Sequence, residues 1–259
     1  MYLPAGRHGL VESLPLLATL SIGLLRQDMS QMRQELQSLS GVVADFISRL
    51  LGHNLGYIRT EYPSAFRSAG KLLESRVLGG TIDRTEATIG RTDLVYRFGN
   101  EVLPLERASS MVGDLASLAL WMREQLAPGN LLIVDEPEAH LHPANERRVA
   151  RVLARLSRAG VRVLIPTHSS TIVHQVSNMV QARLLSTEHR QKIGISEEDV
   201  LSPDDVAIYQ FVPGPDGVVI REIEYDPEFG YAEEGFYEVA EAISDESFEV
   251  ESRLPVAAQ

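Results

Sequence analysis

The chain has 259 residues, 44% hydrophobic and 23% charged, with no cysteine. That length can bury a large core, and the composition excludes disordered and fibrous classes. Lack of cysteine excludes disulfide staples, thiolate zinc sites and cysteine nucleophiles together. The net charge of -12 is uneven: Glu222 to Glu251 holds twelve acids and no Lys or Arg, and elsewhere acids and bases balance at 24 each. A neutral body with an acidic tail does not coat nucleic acid by bulk charge.

Near the start, Leu14 to Leu25 (LPLLATLSIGLL) is apolar, but its twelve residues fall short of the roughly 20 that span a bilayer. RQDMSQ follows in place of a small-residue cleavage site, so the segment reads as a buried helix and the protein as cytoplasmic, with no membrane partner. From Glu12 to Leu51, apolar residues such as Leu25, Met29, Met32, Leu36 and Val43 recur at helical steps. A second helix is expected over Ser64 to Leu78, stopped by Gly79-Gly80. Short strands are expected at Glu86 to Ile89 and Leu94 to Phe98, with a turn at Gly99-Asn100.

Met111, Leu115, Leu118, Ala119 and Met122 then mark one face of a helix, closed by Pro128-Gly129-Asn130. LLIV (Leu131 to Val134) is too short for a helix and apolar on both faces, as a central parallel strand requires. A helix over Asn145 to Ala159 follows, with Val149, Val152, Leu153 and Leu156 inward, and VRVLIPTHSS from Val161 reads as a second buried strand. This is a β-α-β unit whose strands end in carboxylates and a histidine, and strand ends are where open parallel sheets place their chemistry. Beyond it, strands are expected near Val206 to Phe211 and Val218 to Ile223, then an acidic helix around Phe236 to Ile243. Aromatic residues among the tail's acids, such as Phe229, Tyr231 and Phe248, suggest a tail that docks on its own body.

Asp135 and Glu136 directly follow the LLIV strand. A carboxylate pair there can divide nucleotide hydrolysis, the first holding a hydrated magnesium ion and the second orienting or deprotonating water. The bland alternative is two solvated acids at a strand terminus.

LLIVDEPEAHLHP (Leu131 to Pro143) resembles the Walker B and D-loop segment of ABC-type ATPases, and more narrowly that of AAA-family proteins related to the RecF-like and overcoming-lysogenization-defect groups. LIPTHSS (Leu164 to Ser170) resembles their switch-histidine motif, and RASSMVGDLASLALWM (Arg107 to Met122) their signature segment. Similarity is weaker in YLPAGR (Tyr2 to Arg7) and LLESRVLGG (Leu72 to Gly80). The resemblance implies ATP and Mg2+ as ligands, Asp135 as the magnesium-associated acid, Glu136 as general base and His168 as the γ-phosphate sensor. It implies that Ser109 and Ser110, at a helix start suited to anions, serve ATP held by a second head, either a homodimer mate or a paralogue. Met111 stands at the signature's usual glycine place, and His142 where many transporters carry the D-loop aspartate.

No GxxxxGK[ST] phosphate loop is present; Gly70-Lys71 is followed by Leu72, with Ala65 in the first glycine's place. The family carries a strand-rich segment before the YLPAGR-like point, so the expectation is the C-terminal part of an ATPase head, made so by truncation, a split gene or a lost domain, inactive alone and restorable by a separate N-terminal polypeptide that supplies the Walker A lobe. The expected fold is α/β, a P-loop NTPase-like parallel sheet of ABC ATPase type, incomplete at its N-terminus and carrying a helical insertion. The expected divisions are a helical subdomain at 1–80, the ATPase core at 81–180, and C-terminal strands with the acidic tail at 181–259.

Three other readings compete. The chain could be a non-catalytic interaction module or degenerate remnant of such an ATPase. His140, His142, His168 and His174 with the nearby acids could form a metal-hydrolase cluster, although Pro137 and Pro143 bracket a loop ill-suited to rigid ligands. Arg147, Arg151, Arg155 and Arg158 line one helix face, which reads as a solvated face or, less simply, as a track for DNA phosphates.

Overall fold

The computed structural model describes residues 1–13, 41–51, 61–87, 91–215, 217–231 and 234–253. The apolar run Leu14 to Leu25 and much of the expected first helix lie outside them. Strand β1 (Tyr2–Leu3) turns through Gly6 into helix α1 (Arg7–Glu12), and α2 (Gly41–Leu51) buries Phe46 and Leu50. A 3-10 turn (Ser64–Phe66), helix α3 (Arg67–Leu72) and a π-helical stretch (Leu73–Leu78) together make the expected second helix. It stops at Gly79, whose φ of 68° a glycine adopts without strain. Gly70-Lys71 lies inside α3, where a Cβ on Gly70 would come within 2.7 Å of the Tyr62 ring. This glycine admits a ring and has no place in a phosphate loop.

Strands β2 (Thr81–Ala87), β3 (Arg91–Phe98) and β4 (Glu101–Pro104) form an antiparallel meander, with Gly99-Asn100 in its second turn. β2 starts before the expected Glu86 because its polar residues are paired within the protein. Arg84 forms an ion pair with Glu124 at 2.9 Å, and Asp83 takes Arg97 at 2.9 Å and Arg123 at 3.4 Å. Helix α4 (Ser110–Glu124) is buried at every residue from Val112 to Glu124, so the expected single apolar face is too narrow. Its polar side chains are held by ion pairs and hydrogen bonds, and Trp121 meets Phe46 edge to face with centroids 5.8 Å apart.

Strand β5 (Leu131–Val134), helix α5 (Pro143–Arg158) and strand β6 (Arg162–Leu164) form the expected β-α-β unit, and the parallel sheet runs β1-β5-β6. Tyr2 is opposite Ile133, and Leu132 opposite Val163. Helix α5 buries Val149, Val152, Leu153 and Leu156 against the sheet, as its spacing predicts. β6 differs from expectation: Arg162 is exposed and Leu164 is 53% exposed, because among the described residues no strand lies beyond it.

The described chain divides into two compact units, residues 1–175 with 196–199, and residues 176–195 with 200–259. The first holds every element named so far. The second takes the latter half of α6 (Ser170–Gln181), α7 (Thr187–Lys192), the hairpin β7 (Ile208–Gly214) and β8 (Gly217–Ile223), the short pair β9 (Tyr225–Asp226) and β10 (Gly230–Tyr231), and α8 (Glu234–Arg253). Tyr231 is buried there, its N–H donating to Ser177 Oγ at 3.0 Å and its hydroxyl to the Val206 carbonyl at 3.2 Å. Along α8, residues 241–250 are all exposed, Phe248 at 71%, so this part of the acidic tail does not dock as expected. Acids at Glu241, Asp245, Glu246 and Glu249 share a broad face of the helix and help keep it solvated.

Candidate functional site

Where β5 ends, the chain changes neighbours. The Asp135 N–H still bonds back to the Leu3 carbonyl of β1 at 2.9 Å, whereas the Glu136 N–H crosses to the Pro166 carbonyl beyond β6, also at 2.9 Å. Glu136 makes this step at φ 45°, and His140 follows at φ 58°. A non-glycine residue in this left-handed region costs on the order of 1 kcal/mol and persists only where its surroundings enforce it. Both strained residues sit in the ten residues after the strand.

The Asp135 carboxylate is half-buried and accepts the Tyr2 hydroxyl at 2.8 Å, a bond that raises the tyrosine's pKa. Glu136 is also half-buried. Glu138 accepts the His168 backbone N–H at 2.7 Å through one oxygen, while its other oxygen is buried without a hydrogen bond. Two bonds, from the Glu136 N–H to Pro166 and from the His168 N–H to Glu138, thus join the loop after β5 to the loop after β6. The His168 side chain is exposed, beside a loop secured by Ser169, which donates to the Glu146 carboxylate and caps α6 by accepting the Ile172 N–H at 3.2 Å. Asp135, Glu136 and His168 therefore lie on two loops fastened together.

Ser109 and Ser110 lie elsewhere. Ser109 is the N-cap of α4, accepting the Val112 N–H at 3.4 Å; Ser109 is exposed and Ser110 half-buried. Among the described residues no hydrogen bond links either serine to the two loops. Met111, at the signature's glycine place, accepts from the Asn145 amide at 3.2 Å through its sulfur and so packs against the start of α5.

The histidines have separate tasks. His142 caps α5 by accepting the Ala144 N–H at 3.2 Å, and His140 bonds Asp114 through Nδ1 at 2.6 Å. No three His, Asp or Glu side chains gather as a metal cage among the described residues, which takes the support from the metal-hydrolase reading. The arginine face of α5 is similarly engaged: Arg147 donates to Gln175 at 2.8 Å, and Arg155 is held by Asp199 at 2.7 Å and by Ser68 and Ser196. These guanidiniums serve the fold before any phosphate.

Read from sequence, Arg7 and Asp114 have no role in the site, and Glu138 enters only among the acids of the metal-hydrolase reading. Arg7 is 1% exposed; burial pulls its pKa down, against the field of Asp114, Asp135 and other acids. The legible signal was Asp114, a lone acid inside the apolar run MVGDLASLALWM.

Residues 27–174 match the protein family described as "AAA domain, putative AbiEii toxin, Type IV TA system". The chain is 29% identical over 151 residues to the ABC transporter ATP-binding protein RamB of Streptomyces coelicolor, covering 58% of this chain and 22% of that protein. It is 26% identical over 161 residues to the cell division ATP-binding protein FtsE of Mycobacterium tuberculosis, covering 58% of this chain and 70% of that one. Among solved structures, an Smc head bound to the C-winged helix domain of ScpA aligns with TM-score 0.42 at 12% identity, covering 87% of this chain and 52% of that one.

Proposed function

Since the chain belongs to this AAA-domain family and is an ABC-type ATPase head, we propose that its two joined loops act on the terminal phosphate of ATP. The observation that carries this reading is the fastening of the Asp135-Glu136 loop to the His168 loop at the ends of adjacent parallel strands. Magnesium is bound in such sites through one or two carboxylates together with substrate phosphates and water, and not by an all-protein cage. Asp135, half-buried with one oxygen engaged by Tyr2, suits that donor set. Bound there, the ion would neutralise phosphate charge. Glu136 takes the proton of the attacking water, and His168, exposed at the end of the neighbouring loop, contacts the γ-phosphate.

Ser109 and Ser110 offer a hydroxyl and helix-start N–H groups to ATP held by a second head, so a complete site needs two heads. The 259 residues contain no GxxxxGK[ST] run, so the phosphate loop has to come from outside this stretch. The open side of β6, with Leu164 53% exposed, is the edge where we place the strand that brings it. In this scheme residues 81–180 do the nucleotide work, flanked by the helical residues 1–80 and the tail 181–259. No described helix is long and apolar enough to cross a membrane, and we place the head in the cytoplasm.

The lack of a phosphate loop supports the second reading, an interaction module that keeps the fold without hydrolysis. The two separate by experiment. ATP binding and turnover are measured on this chain and on an assembly that supplies the phosphate loop. The ATPase reading expects turnover in the assembly. It also expects Glu136→Gln to keep ATP binding while lowering turnover by about a hundredfold or more, as loss of a general base does. Unchanged turnover in that variant removes Glu136 from its role, and absence of ATP binding in both forms leaves the interaction module.

A further inference from the structure

Arg7 and Asp114 are buried, 1% and 0% exposed, yet they do not pair side chain to side chain. Arg7 donates through Nε to the Asp114 main-chain carbonyl at 2.7 Å, and through Nη1 to the carbonyls of Pro4 at 3.2 Å and Asp135 at 2.9 Å. Asp114 accepts the His8 N–H on one oxygen at 2.9 Å and bonds His140 Nδ1 with the other at 2.6 Å. Burying both charges is costly, and apolar side chains would fill the space at less cost. What apolar residues could not do is fix three main-chain segments to one another.

The target of Arg7 matters most. The Asp135 carbonyl and the Glu136 N–H belong to one planar peptide unit. That plane is held at both ends, its carbonyl by Arg7 and its N–H by the Pro166 carbonyl. Its tilt decides where the Asp135 and Glu136 side chains leave the chain, and holding it sustains the φ of 45° at Glu136. Four residues on, His140 takes the second positive φ, 58°, and reaches Asp114 in the second turn of α4. The acid pair is thereby tied to the helix that Ser109 caps and Ser110 begins, by Arg7 at one end of the loop and by His140 at the other.

We infer that Arg7, Asp114 and His140 are positioning residues that lock the peptide between Asp135 and Glu136 to the start of α4. Any ligand that moves the exposed Ser109 end of α4 therefore moves the carboxylates. In its catalytic consequence this rests on the ATPase reading; the mechanical link does not.

His140 is the residue to change, because its side chain is 52% exposed and replacing it disturbs little packing. His140→Gly accepts the positive φ without strain and removes the link; His140→Asn also tolerates that φ and keeps a donor for Asp114. Arg7→Lys keeps the charge but loses the planar guanidinium that reaches the carbonyls of Pro4, Asp114 and Asp135 from two separate nitrogens. Amide hydrogen exchange on this chain without nucleotide is the first readout. His140→Gly and Arg7→Lys are expected to speed exchange of the Glu136 N–H about tenfold, with His140→Asn restoring it in the first case. Unchanged Glu136 exchange in both variants overturns the link, whatever the chain does with ATP. In an assembly that hydrolyses ATP, His140→Gly is expected to lower kcat about tenfold at constant KM, with recovery in His140→Asn. If the wild-type assembly shows no turnover, the ATPase reading falls while the exchange result still decides the link.

Discussion

The two units use similar residues to opposite ends. In the first, charged side chains are taken out of water: Glu124 is fully buried, Arg84 is 4% exposed, and Asp199 is 1% exposed against Arg155. In the second, hydrocarbon is left in water: Phe211 and Val218 are each 68% exposed and Ile220 is 60% exposed, in a unit that also holds a small buried cluster of Ala182, Ile195 and Val200. A buried ion is tolerable only where every partner is placed, so the first unit needs one arrangement of its strands and helices. An exposed apolar side chain has no such requirement. The contrast predicts that single substitutions cost much in the first unit and little on the hairpin of the second.

The largest effect belongs to Glu124→Ala. It leaves the Arg84 guanidinium buried beside α4, with the Leu50 carbonyl at 2.7 Å as its remaining acceptor. Breaking a buried pair in this way costs about 3–5 kcal/mol. Denaturant unfolding of the variant measures it, and a loss under roughly 1 kcal/mol, the range of exposed pairs, would erase the contrast.

Much of the first unit was readable because its patterns are periodic. Four apolar residues followed by two acids gave β5 and its end, Val149, Val152, Leu153 and Leu156 gave the inner face of α5, and Gly79 gave the stop of a helix. Reading failed where polar residues were buried. Asp83 and Arg84 hid the start of β2, and Asp114, Ser117, Arg123 and Glu124 hid the all-round burial of α4. Periodicity records hydropathy and is blind to a charge whose partner lies forty residues away, as Arg84 and Glu124 are. The same blindness applied at the site: Asp135, Glu136 and His168 stood at strand ends, but nothing local announced that Arg7 reaches the Asp135 carbonyl across 128 positions. β6 misled in the other direction: its apolar residues read as a buried strand, yet Leu164 is 53% exposed and no described strand lies beyond it.

A smaller effect is expected at Asp199. Burial pushes its carboxyl up, but bonds from Arg155 and Ser196 outweigh burial and hold it below the ordinary 3.8. A carboxylate with a depressed folded-state pKa contributes stability that is present above the unfolded value and lost as pH falls through the folded one. Asp199→Asn is therefore expected to cost about 2 kcal/mol near neutral pH, in the range of hydrogen bonds to charged groups, and to shrink that cost below pH 3.8. Urea titrations of both proteins across that interval check it, and a cost that stays constant into acid would assign Asp199 a packing role only.

The smallest effect sharpens the comparison most. Phe211 and Ile220 are a cross-strand pair on the hairpin, 68% and 60% exposed, with Pro213 and Val218 opposite each other on the same face. Such a pair contributes about 0.2–1 kcal/mol through its mutual contact, and threonine keeps the β propensity of both positions. Replacing both by threonine should then change stability by less than about 1 kcal/mol, read by the unfolding midpoint at low protein concentration. Burial of a large apolar side chain is worth about 1.5–3 kcal/mol, so a doubly substituted protein that loses more than about 3 kcal/mol would show that water does not bathe this face. The second unit would then hide hydrocarbon as the first hides charge, and the difference between them would be one of partners present, not of design.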